Sequence, residues 1–419
     1  MGNNEIIFVE LSSKFSVIIE RMPELPSGAL VILFKQGSRN ELPQQAGITN
    51  LLLGLLFRQT TKKTFIEIQE YIDSLGAELD SFVAKEISGI YSRYLVDRFN
   101  EVWSLTEEII FYPKFTEEEF TKEKKLTEKE IISEEDDPEE YLFNVFYKNL
   151  FPNHPLSNRI IGDMDSITQL VLDEVRNYYS NCLLYAPICV SITGNIDPDF
   201  VLKLAEQMKN LLSNLFGLIN HNDTTQKDTP TFKPLSNFVN VKKKGVQQSY
   251  TVIGWYTCPY QSEYYFPVIF ANTILGGCTS SRLYYEVREK RGLAYSISSF
   301  TDFYSDIGIL GVYFITQPDL AEAVTEIVLE QTHKLRLQGI SKDEFDLARN
   351  YVKSQTLIRT DNPLARALRN ARNKLLINRI PTVSEIINEI ENVSLIRVNE
   401  AIGELSANQL IVRVEPSER

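Results

Sequence analysis

The sequence predicts an α+β fold made of two tandem homologous domains, each an antiparallel β-sheet with helices packed on one face. Three observations lead to this prediction. The order of strand and helix patterns repeats once along the chain, short alternating strands precede runs of helices in each half, and a polar segment separates the halves. At 419 residues the chain is long enough for two domains of ordinary size.

The repeat is visible in matching segments of the two halves. GAELDSFVAKEISGIYSRYLV, at 76–96, alternates as strands do and leads into a stretch with helical apolar spacing. GLAYSISSFTDFYSDIGILGVYFI, at 292–315, begins the same progression in the second half. Each half closes on a helix, a short connection and an apolar strand, at 175–194 and 398–414. The two halves are therefore expected to have the same topology.

The segment between the halves is polar. HNDTTQKDTPTFKPLSN, at 221–237, is rich in Asn, Asp, Thr and Pro, which is typical of an exposed linker. The predicted domains are therefore residues 1–220 and residues 238–419.

Charge and composition exclude several classes of function. A formal net charge of −13 disfavours binding to a phosphate backbone, so no nucleic-acid partner is expected. No apolar run reaches the roughly 18 residues of a membrane span, and the N-terminus lacks the pattern of a signal peptide. We therefore expect a cytoplasmic protein without a membrane partner. The four cysteines form no CxxC pair and are expected to be small buried hydrophobes.

The segment FKQGSRNELPQQAGITNLLLGLLFRQTTKKT, at 34–64, carries a family resemblance. It is similar to the zinc-site region of the M16 (insulinase-like) metallopeptidases, the family of insulysin, pitrilysin and the mitochondrial processing peptidase. This resemblance implies the LuxS/MPP-like metallohydrolase fold for each domain. In active members an HxxEH motif places two histidines four residues apart on one helix face, where they bind zinc, while the glutamate polarises the attacking water.

The residues at the motif positions are unsuited to this chemistry. Alignment on the flanking residues places Asn50 at the first histidine, Leu53 at the glutamate and Gly54 at the second histidine. TEKEIISEEDDPEEYL, at 127–142, resembles the family segment that supplies the third ligand, and the resemblance places Glu135 there. A lone carboxylate is expected to cap or pair at the surface, because a catalytic zinc needs three protein ligands. No metal is expected in this chain.

Neither the remaining histidines nor the leucines of this helix suggest another metal site. The chain has only His154, His221 and His333, and no two of them have ligand spacing. The leucines at 51, 52, 53, 55 and 56 are expected to bury the helix, which would then serve as a scaffold.

The segment LGGCTSSRLYYEVREKRGLAYSISSFTDFYSDIG, at 275–308, is the part of the chain most similar to the family. By resemblance it supplies Arg288 and Tyr295, which in active M16 enzymes bind the substrate backbone and the oxyanion near the zinc. A guanidinium and a phenolic hydroxyl suit that task, because peptide hydrolysis builds negative charge on the scissile carbonyl oxygen. Alternatively, Arg288 pairs with Glu286 or Glu289 on a surface helix and Tyr295 packs in a strand. The intact motif around the pair favours the first interpretation.

One strand of the first half also resembles a substrate-binding element. GAELDSF, at 76–82, corresponds to the family strand whose edge pairs with extended substrate. Asp80 and Ser81 replace the Asn and Ala of the family, so ordinary sheet structure is expected there.

Together these features predict a non-catalytic partner subunit of a heterodimeric, processing-peptidase-like M16 zinc endopeptidase. The chain is not expected to be a peptidase on its own. Its sister would carry HxxEH and the zinc, and the substrates would be oligopeptides or unfolded polypeptides. When isolated, the chain could form a homodimer.

The alternative is a structural or peptide-holding scaffold, as in respiratory complexes, in which the Arg/Tyr pair is vestigial. A hydrolase of another class has no support, since the sequence contains no GxSxG motif and no cysteine with a histidine partner.

Overall fold

The computed structural model describes residues 5–216, 237–405 and 408–417. The linker predicted at 221–237 lies outside these residues, apart from Asn237. The chain forms two compact units, each assembled from separate stretches. The first unit comprises the described parts of Met1–Ile132, Asn158–Asp228 and Arg359–Thr382. The second comprises the described parts of Ser133–Ser157, Thr229–Ile358 and Val383–Arg419.

Each unit is built on one β-sheet. The strands of the first unit are β1 (Ile6–Ser12), β2 (Phe15–Arg21), β3 (Ser27–Phe34), β4 (Glu78–Val83), β5 (Ser88–Leu95) and β6 (Ile188–Gly194). The strands of the second unit are β7 (Phe238–Lys243), β8 (Ser249–Thr257), β9 (Ala294–Phe303), β10 (Gly308–Thr316) and β11 (Leu410–Pro416).

The two sheets have the same topology. Within the described residues the first sheet has the order β1-β2-β6-β3-β5-β4 and the second has the order β7-β11-β8-β10-β9. Without β1, the two orders match strand for strand, which is the repeat that the sequence predicts. Neighbouring strands are antiparallel except for one parallel pair in each sheet, β2 with β6 and β7 with β11. The predicted fold class is confirmed, and the parallel pairs are an addition to it.

Helices follow the strands in both units. In chain order they are α1 (Ile48–Leu56), α2 (Phe65–Leu75), α3 (Phe99–Phe111), α4 (Glu117–Asp136), α5 (Pro138–Leu150), α6 (Met164–Gln169), α7 (Leu172–Tyr178), α8 (Pro198–Phe216), α9 (Tyr265–Asn272), α10 (Ala321–Gln338), α11 (Lys342–Arg359), α12 (Pro363–Ile377), α13 (Val383–Glu391) and α14 (Leu395–Gly403). Short π-helical turns occur at Tyr179–Leu183, Thr273–Gly277 and Tyr284–Glu289. None of the helices in the described ranges is both long enough and apolar enough to cross a bilayer.

The first sheet is covered on both faces, whereas the sequence predicts helices on one face of each sheet. One face packs into the main core with α1, α3 and their neighbours, and the other packs against α12, which comes from the second half of the sequence. The carboxylate of Glu20, which is only 1% exposed, anchors this helix by bonds from Arg366 and from Asn370 Nδ2, the latter at 2.8 Å. A buried carboxylate needs such partners, because leaving it unpaired costs several kcal/mol, on the order of 3–5.

The second sheet receives a helix from the first half of the sequence in the same way. Helix α5 packs on β8 and β11 through Leu142, Phe146 and Leu150. Gly254 on β8 permits this contact, since a Cβ there would lie 2.3 Å from Phe146 Cζ. The compact units therefore differ from the sequence halves by two exchanged segments, 133–157 and 359–382.

Candidate functional site

Helix α1 begins at a tightly packed glycine. Gly47 has a φ of +90°, and a Cβ there would lie 2.5 Å from the carbonyl oxygen of Ile161. The Glu41 carboxylate accepts the backbone N–H of Gly47 at 2.7 Å and that of Thr49 at 3.0 Å, which satisfies two donors at the start of the helix. Burial raises the pKa of Glu41 to about 7, although these hydrogen bonds act in the opposite direction.

The leucines of α1 are buried, as predicted. Leu53, which the family resemblance predicts to stand at the position of the catalytic glutamate, is only 1% exposed. Fully burying a leucine side chain contributes roughly 1.5–3 kcal/mol, so these residues make α1 part of the core of the first unit. The buried set is Leu51, Leu52, Leu53, Leu55 and Leu56.

The remaining face of α1 and the turn that follows it carry three half-buried residues spaced four apart, here called the α1 stripe: Asn50 and Gly54 on the helix and Arg58 in the turn. Glu123 of α4 reaches this stripe. A Cβ at Gly54 would lie 2.1 Å from Glu123 Oε1, and Arg58 Nε donates to Glu123 Oε2 at 2.5 Å. Gly54 therefore makes room for a carboxylate that pairs with Arg58. This contact explains a glycine that costs about 1 kcal/mol of helix stability relative to alanine.

The α1 stripe does not fit a zinc ion. It presents an amide, a missing side chain and a guanidinium, and the one carboxylate beside it is bonded to Arg58. In the described ranges no group of three or more His, Cys, Asp or Glu side chains is placed to hold a metal ion. A zinc site needs at least three such donors.

Glu135 is placed elsewhere on the same helix. It belongs to the second compact unit, whereas Glu123 belongs to the first. Its carbonyl oxygen accepts a hydrogen bond from Lys243 Nζ. Glu123 gives no signal in the sequence, because its partner Arg58 is 65 residues away and one acid within an acidic helix is not distinguished by its neighbours.

The two histidines within the described residues lie in different environments, one half-buried and one exposed. His154 Nδ1 accepts the backbone N–H of Leu156 at 3.2 Å, and its ring lies 6.0 Å from that of Phe151. His333 is exposed on α10, and His221 lies outside the described residues.

The four cysteines are free thiols. Only Cys189 is fully buried, so the expectation that all four are buried is wrong for the other three, which are half-buried. Burial raises the pKa of Cys189 to about 12 and also raises the pKa of Cys182 and Cys258. A raised pKa lowers the thiolate fraction, so these three thiols are poor nucleophiles.

In the second unit the turn before β9 presents Arg288. Val287 is fully buried and holds the π-helical turn Tyr284–Glu289 against the core. Leu293 N donates to Val287 O at 2.9 Å, and Gly292 N donates to Arg288 O at 3.0 Å. Gly292 has a φ of +62°, a conformation that favours glycine, so the chain reverses here and leaves Arg288 exposed.

Arg288 has an aromatic neighbour and, in the part of the chain that the structure describes, no acidic partner. Its Cζ lies 5.0 Å from the ring centroid of Tyr284, and in the described residues the guanidinium forms no ion pair. Glu286 is bonded instead by Lys290 Nζ at 3.1 Å and by Arg291, and these bonds lower its pKa. The alternative in which Arg288 pairs with Glu286 or Glu289 is thus not what the structure shows.

Tyr295 is the extra residue of a β-bulge at the sheet edge. Ala294 pairs with Thr316 and Ser296 pairs with Ile315, so Tyr295 is left without a cross-strand partner. Ala294 is buried, whereas Tyr295 is 81% exposed. A β-bulge redirects side chains and is common next to binding sites. Tyr295 therefore points into solvent, and the alternative in which it packs in a strand is not observed.

Strand β4 includes most of the segment 76–82, which resembles the substrate-binding strand of the family. It is an edge strand paired only with β5 in the described part of the sheet. The side chain of Asp80 accepts the backbone N–H of Ser81 at 2.7 Å. That N–H is therefore not free to bond an added strand, and the exposed carboxylate of Asp80 is a common means of guarding a sheet edge.

Comparison with known proteins gives consistent matches over nearly the whole chain. An uncharacterized zinc protease of Bacillus subtilis (strain 168) is 28% identical over 403 residues, covering 96% of each chain. A structure of a peptidase M16 inactive domain from Pseudomonas fluorescens has a TM-score of 0.89 at 18% identity, covering 99% of this chain and 98% of that chain. A chain of complex III2 from Candida albicans has a TM-score of 0.80 at 19% identity, covering 98% and 96% of the two chains.

Two models of one family match the chain in order. The model described as Insulinase (Peptidase family M16) matches residues 16–164. The model described as Peptidase M16 inactive domain matches residues 169–352. Because these models together span both repeats, and similar structures share the fold over almost the full length, the chain belongs to the M16 peptidase family.

Proposed function

We propose that this chain is the non-catalytic partner subunit of a heterodimeric M16 zinc endopeptidase. In this proposal a sister subunit with an intact HxxEH motif carries the zinc, and the present chain contributes Arg288 and Tyr295 to cleavage of oligopeptides or unfolded polypeptides. The observation that carries the proposal is that both side chains are exposed and, among the described residues, have no polar partner, whereas the stripe of α1 has no zinc ligands.

The chemistry of the pair suits the task. As water adds to the scissile carbonyl, its oxygen becomes an anion, and donors already in place lower the energy of that state. The Arg288 guanidinium offers several N–H groups in a rigid fork, and the Tyr295 hydroxyl offers one O–H. The sister supplies the activated water, and this chain supplies hydrogen bonds without transferring a proton.

The test is to mix the purified chain with its HxxEH-bearing sister and to measure oligopeptide cleavage. Arg288→Ala should lower kcat/KM by about 10²–10³-fold, the usual effect of removing an oxyanion donor. Tyr295→Phe removes one neutral hydroxyl and should lower it by about tenfold. Arg397→Ala is the matched control, because Arg397 also stacks on a tyrosine of this unit but is paired with Glu263 and Glu400.

Two results would reject the proposal: a sister that cleaves equally well without this chain, or Arg288 and Tyr295 variants that behave as Arg397→Ala does. The dialysed chain alone should contain no stoichiometric zinc and should not cleave peptides. Light scattering of the isolated chain and of the mixture separates a homodimer from the proposed heterodimer.

The second candidate is a structural or peptide-holding protein of the M16 fold. The likeness to a chain of complex III2 and the buried, ligand-free α1 favour it. Under this alternative the chain associates with its partner, yet Arg288→Ala leaves every cleavage rate unchanged.

A further inference from the structure

Arg288 can act on a developing charge only if its guanidinium is held in one place. An arginine side chain has several rotatable bonds, and fixing them costs up to about 2 kcal/mol of entropy in the absence of other contacts. Exposed arginines are usually held by carboxylates, but a carboxylate here would compete with the substrate oxyanion for the same N–H groups. The surroundings of Arg288 therefore need to orient the side chain without occupying its donors.

The sequence around the turn meets this requirement. On a helical surface a side chain contacts residues three and four positions away, and it leans back toward the residue four positions earlier. For Arg288 the residues three and four positions earlier are Tyr285 and Tyr284, neither of which is acidic, and the helical turn ends at Glu289.

Two of the acids near the turn, Glu286 and Glu330, are paired with other cations. Glu286 lies two positions from Arg288, on another side of the helix, and is held by Lys290 and Arg291. Glu330 of the neighbouring helix α10 is bonded by Lys334 at 2.7 Å. Glu289 is adjacent in sequence, and adjacent residues do not face each other on a helix.

We propose that Tyr284 is a positioning residue for Arg288, and this inference rests on the proposed function. The half-buried ring of Tyr284 lies under the guanidinium, with 5.0 Å between Arg288 Cζ and the ring centroid. Contact with the ring face restricts the guanidinium while its N–H groups stay directed at the edges of the plane, where a carbonyl oxygen binds. Tyr284 acts through Arg288 and has no contact with the reacting atoms.

The first test compares variants of Tyr284 in the mixture with the sister subunit. Tyr284→Leu should lower kcat about two- to fivefold with little change in KM, because the lost preorganisation matters mainly in the transition state. Tyr284→Phe keeps the ring and should retain the wild-type rate. Tyr264→Leu is the matched control, since it removes a similar arginine stack, at 5.3 Å from Arg397, in the same unit.

A double-mutant cycle separates positioning from a general structural role. In an Arg288→Ala background, Tyr284→Leu should have no further effect on kcat. An equal loss in both backgrounds would overturn the positioning role while leaving the proposed function intact. A silent Arg288→Ala variant would instead reject the proposed function.

A measurement on the isolated chain tests the inference without the sister. NMR relaxation of the Arg288 side-chain Nε reports its motion on the picosecond-to-nanosecond timescale. The order parameter should fall in Tyr284→Leu and stay at the wild-type value in Tyr284→Phe. An order parameter that is the same in all three proteins would overturn the inference.

Discussion

The α1 stripe and the Arg288–Tyr295 segment lie at comparable places in the repeat, between β3 and β4 in the first unit and between β8 and the start of β9 in the second. At the α1 stripe the charged groups satisfy each other, since Arg58 binds Glu123 in the space that Gly54 leaves. In the second segment the guanidinium of Arg288 and the hydroxyl of Tyr295 face solvent, with no polar partner in the described part of the chain.

This difference shows how the pairing of polar groups can distinguish a surface that binds a ligand from one that does not. A surface without a ligand tends to pair its own donors and acceptors, because buried polar groups left unpaired cost free energy. Donors that serve a ligand stay available until the ligand arrives. Four stability measurements test this contrast, in descending order of expected effect.

The largest effect is expected from a glutamate at position 53 of α1, where the family resemblance predicts the catalytic residue of active members. Leu53→Glu places a carboxyl group where the leucine is 1% exposed and should lower the free energy of unfolding by about 4 kcal/mol. Denaturant unfolding measures the change, and Leu53→Met, which conserves volume, should cost less than about 1.5 kcal/mol. A Leu53→Glu protein as stable as the wild type would mean that this face still accommodates a catalytic carboxylate.

The second effect is the pH dependence that Glu41 gives to the free energy of unfolding. Its pKa is about 7 in the folded protein, against 4.5 for an ordinary exposed glutamate. The folded state thus holds the proton more tightly, so the contribution to stability is complete below pH 4.5 and is lost as the pH rises to about 7. The loss is on the order of 3 kcal/mol, since a tenfold difference in proton affinity corresponds to about 1.4 kcal/mol.

Glu41→Gln removes this titration and isolates it from other groups. The stability of the variant relative to the wild type should increase as the pH rises from 4.5 to about 7, and urea unfolding at several pH values measures it. Glu67→Gln is the control, because hydrogen bonds from Thr64 lower the pKa of that exposed carboxylate. A stability difference between the wild type and the Glu41→Gln variant that does not vary with pH would contradict the prediction.

The third effect concerns Gly54→Ala, whose effect on the free energy of unfolding should change sign between the wild type and a Glu123→Ala background. Gly54→Ala improves helix propensity by about 1 kcal/mol, but its methyl group displaces the carboxylate of Glu123 and breaks the half-buried pair with Arg58. We expect a net loss of about 1 kcal/mol in the wild type. In a Glu123→Ala background the same substitution should stabilise by about 0.5–1 kcal/mol. Equal effects in the two backgrounds would show that Glu123 is not the reason for the glycine.

The smallest effects are expected in the second segment. Arg288→Ala and Tyr295→Ala should each change the free energy of unfolding by no more than about 0.5 kcal/mol, because both side chains are exposed and form no hydrogen bond or ion pair among the described residues. Thermal or urea unfolding measures this. A loss above about 1 kcal/mol would assign them a structural role and weaken the contrast with α1.

Much of the fold was predictable because its signals are local. The alternation of strands, the helical spacing and the order of elements are set by neighbouring residues, so the repeat of two sheets follows from the sequence. The exchange of α5 and α12 was not predictable in this way. These helices cover the second face of each sheet, and an apolar helix face does not indicate which of two similar sheets it will cover.

The candidate sites show the same limit. The spacing of Arg288 and Tyr295 and the residue types at Asn50, Leu53 and Gly54 are visible in the chain itself. The exposure of Tyr295 depends on a bulge that appears only in the pairing of β9 with β10.

By itself, the sequence determined the repeated α+β architecture, because this depends on residue type and local spacing. Only the tertiary structure decided that Glu123 fills the space at Gly54, that Arg288 rests on the ring of Tyr284, and that Tyr295 faces solvent. These outcomes depend on side-chain contacts and strand register, and both are settled by packing between segments that can be distant in the chain.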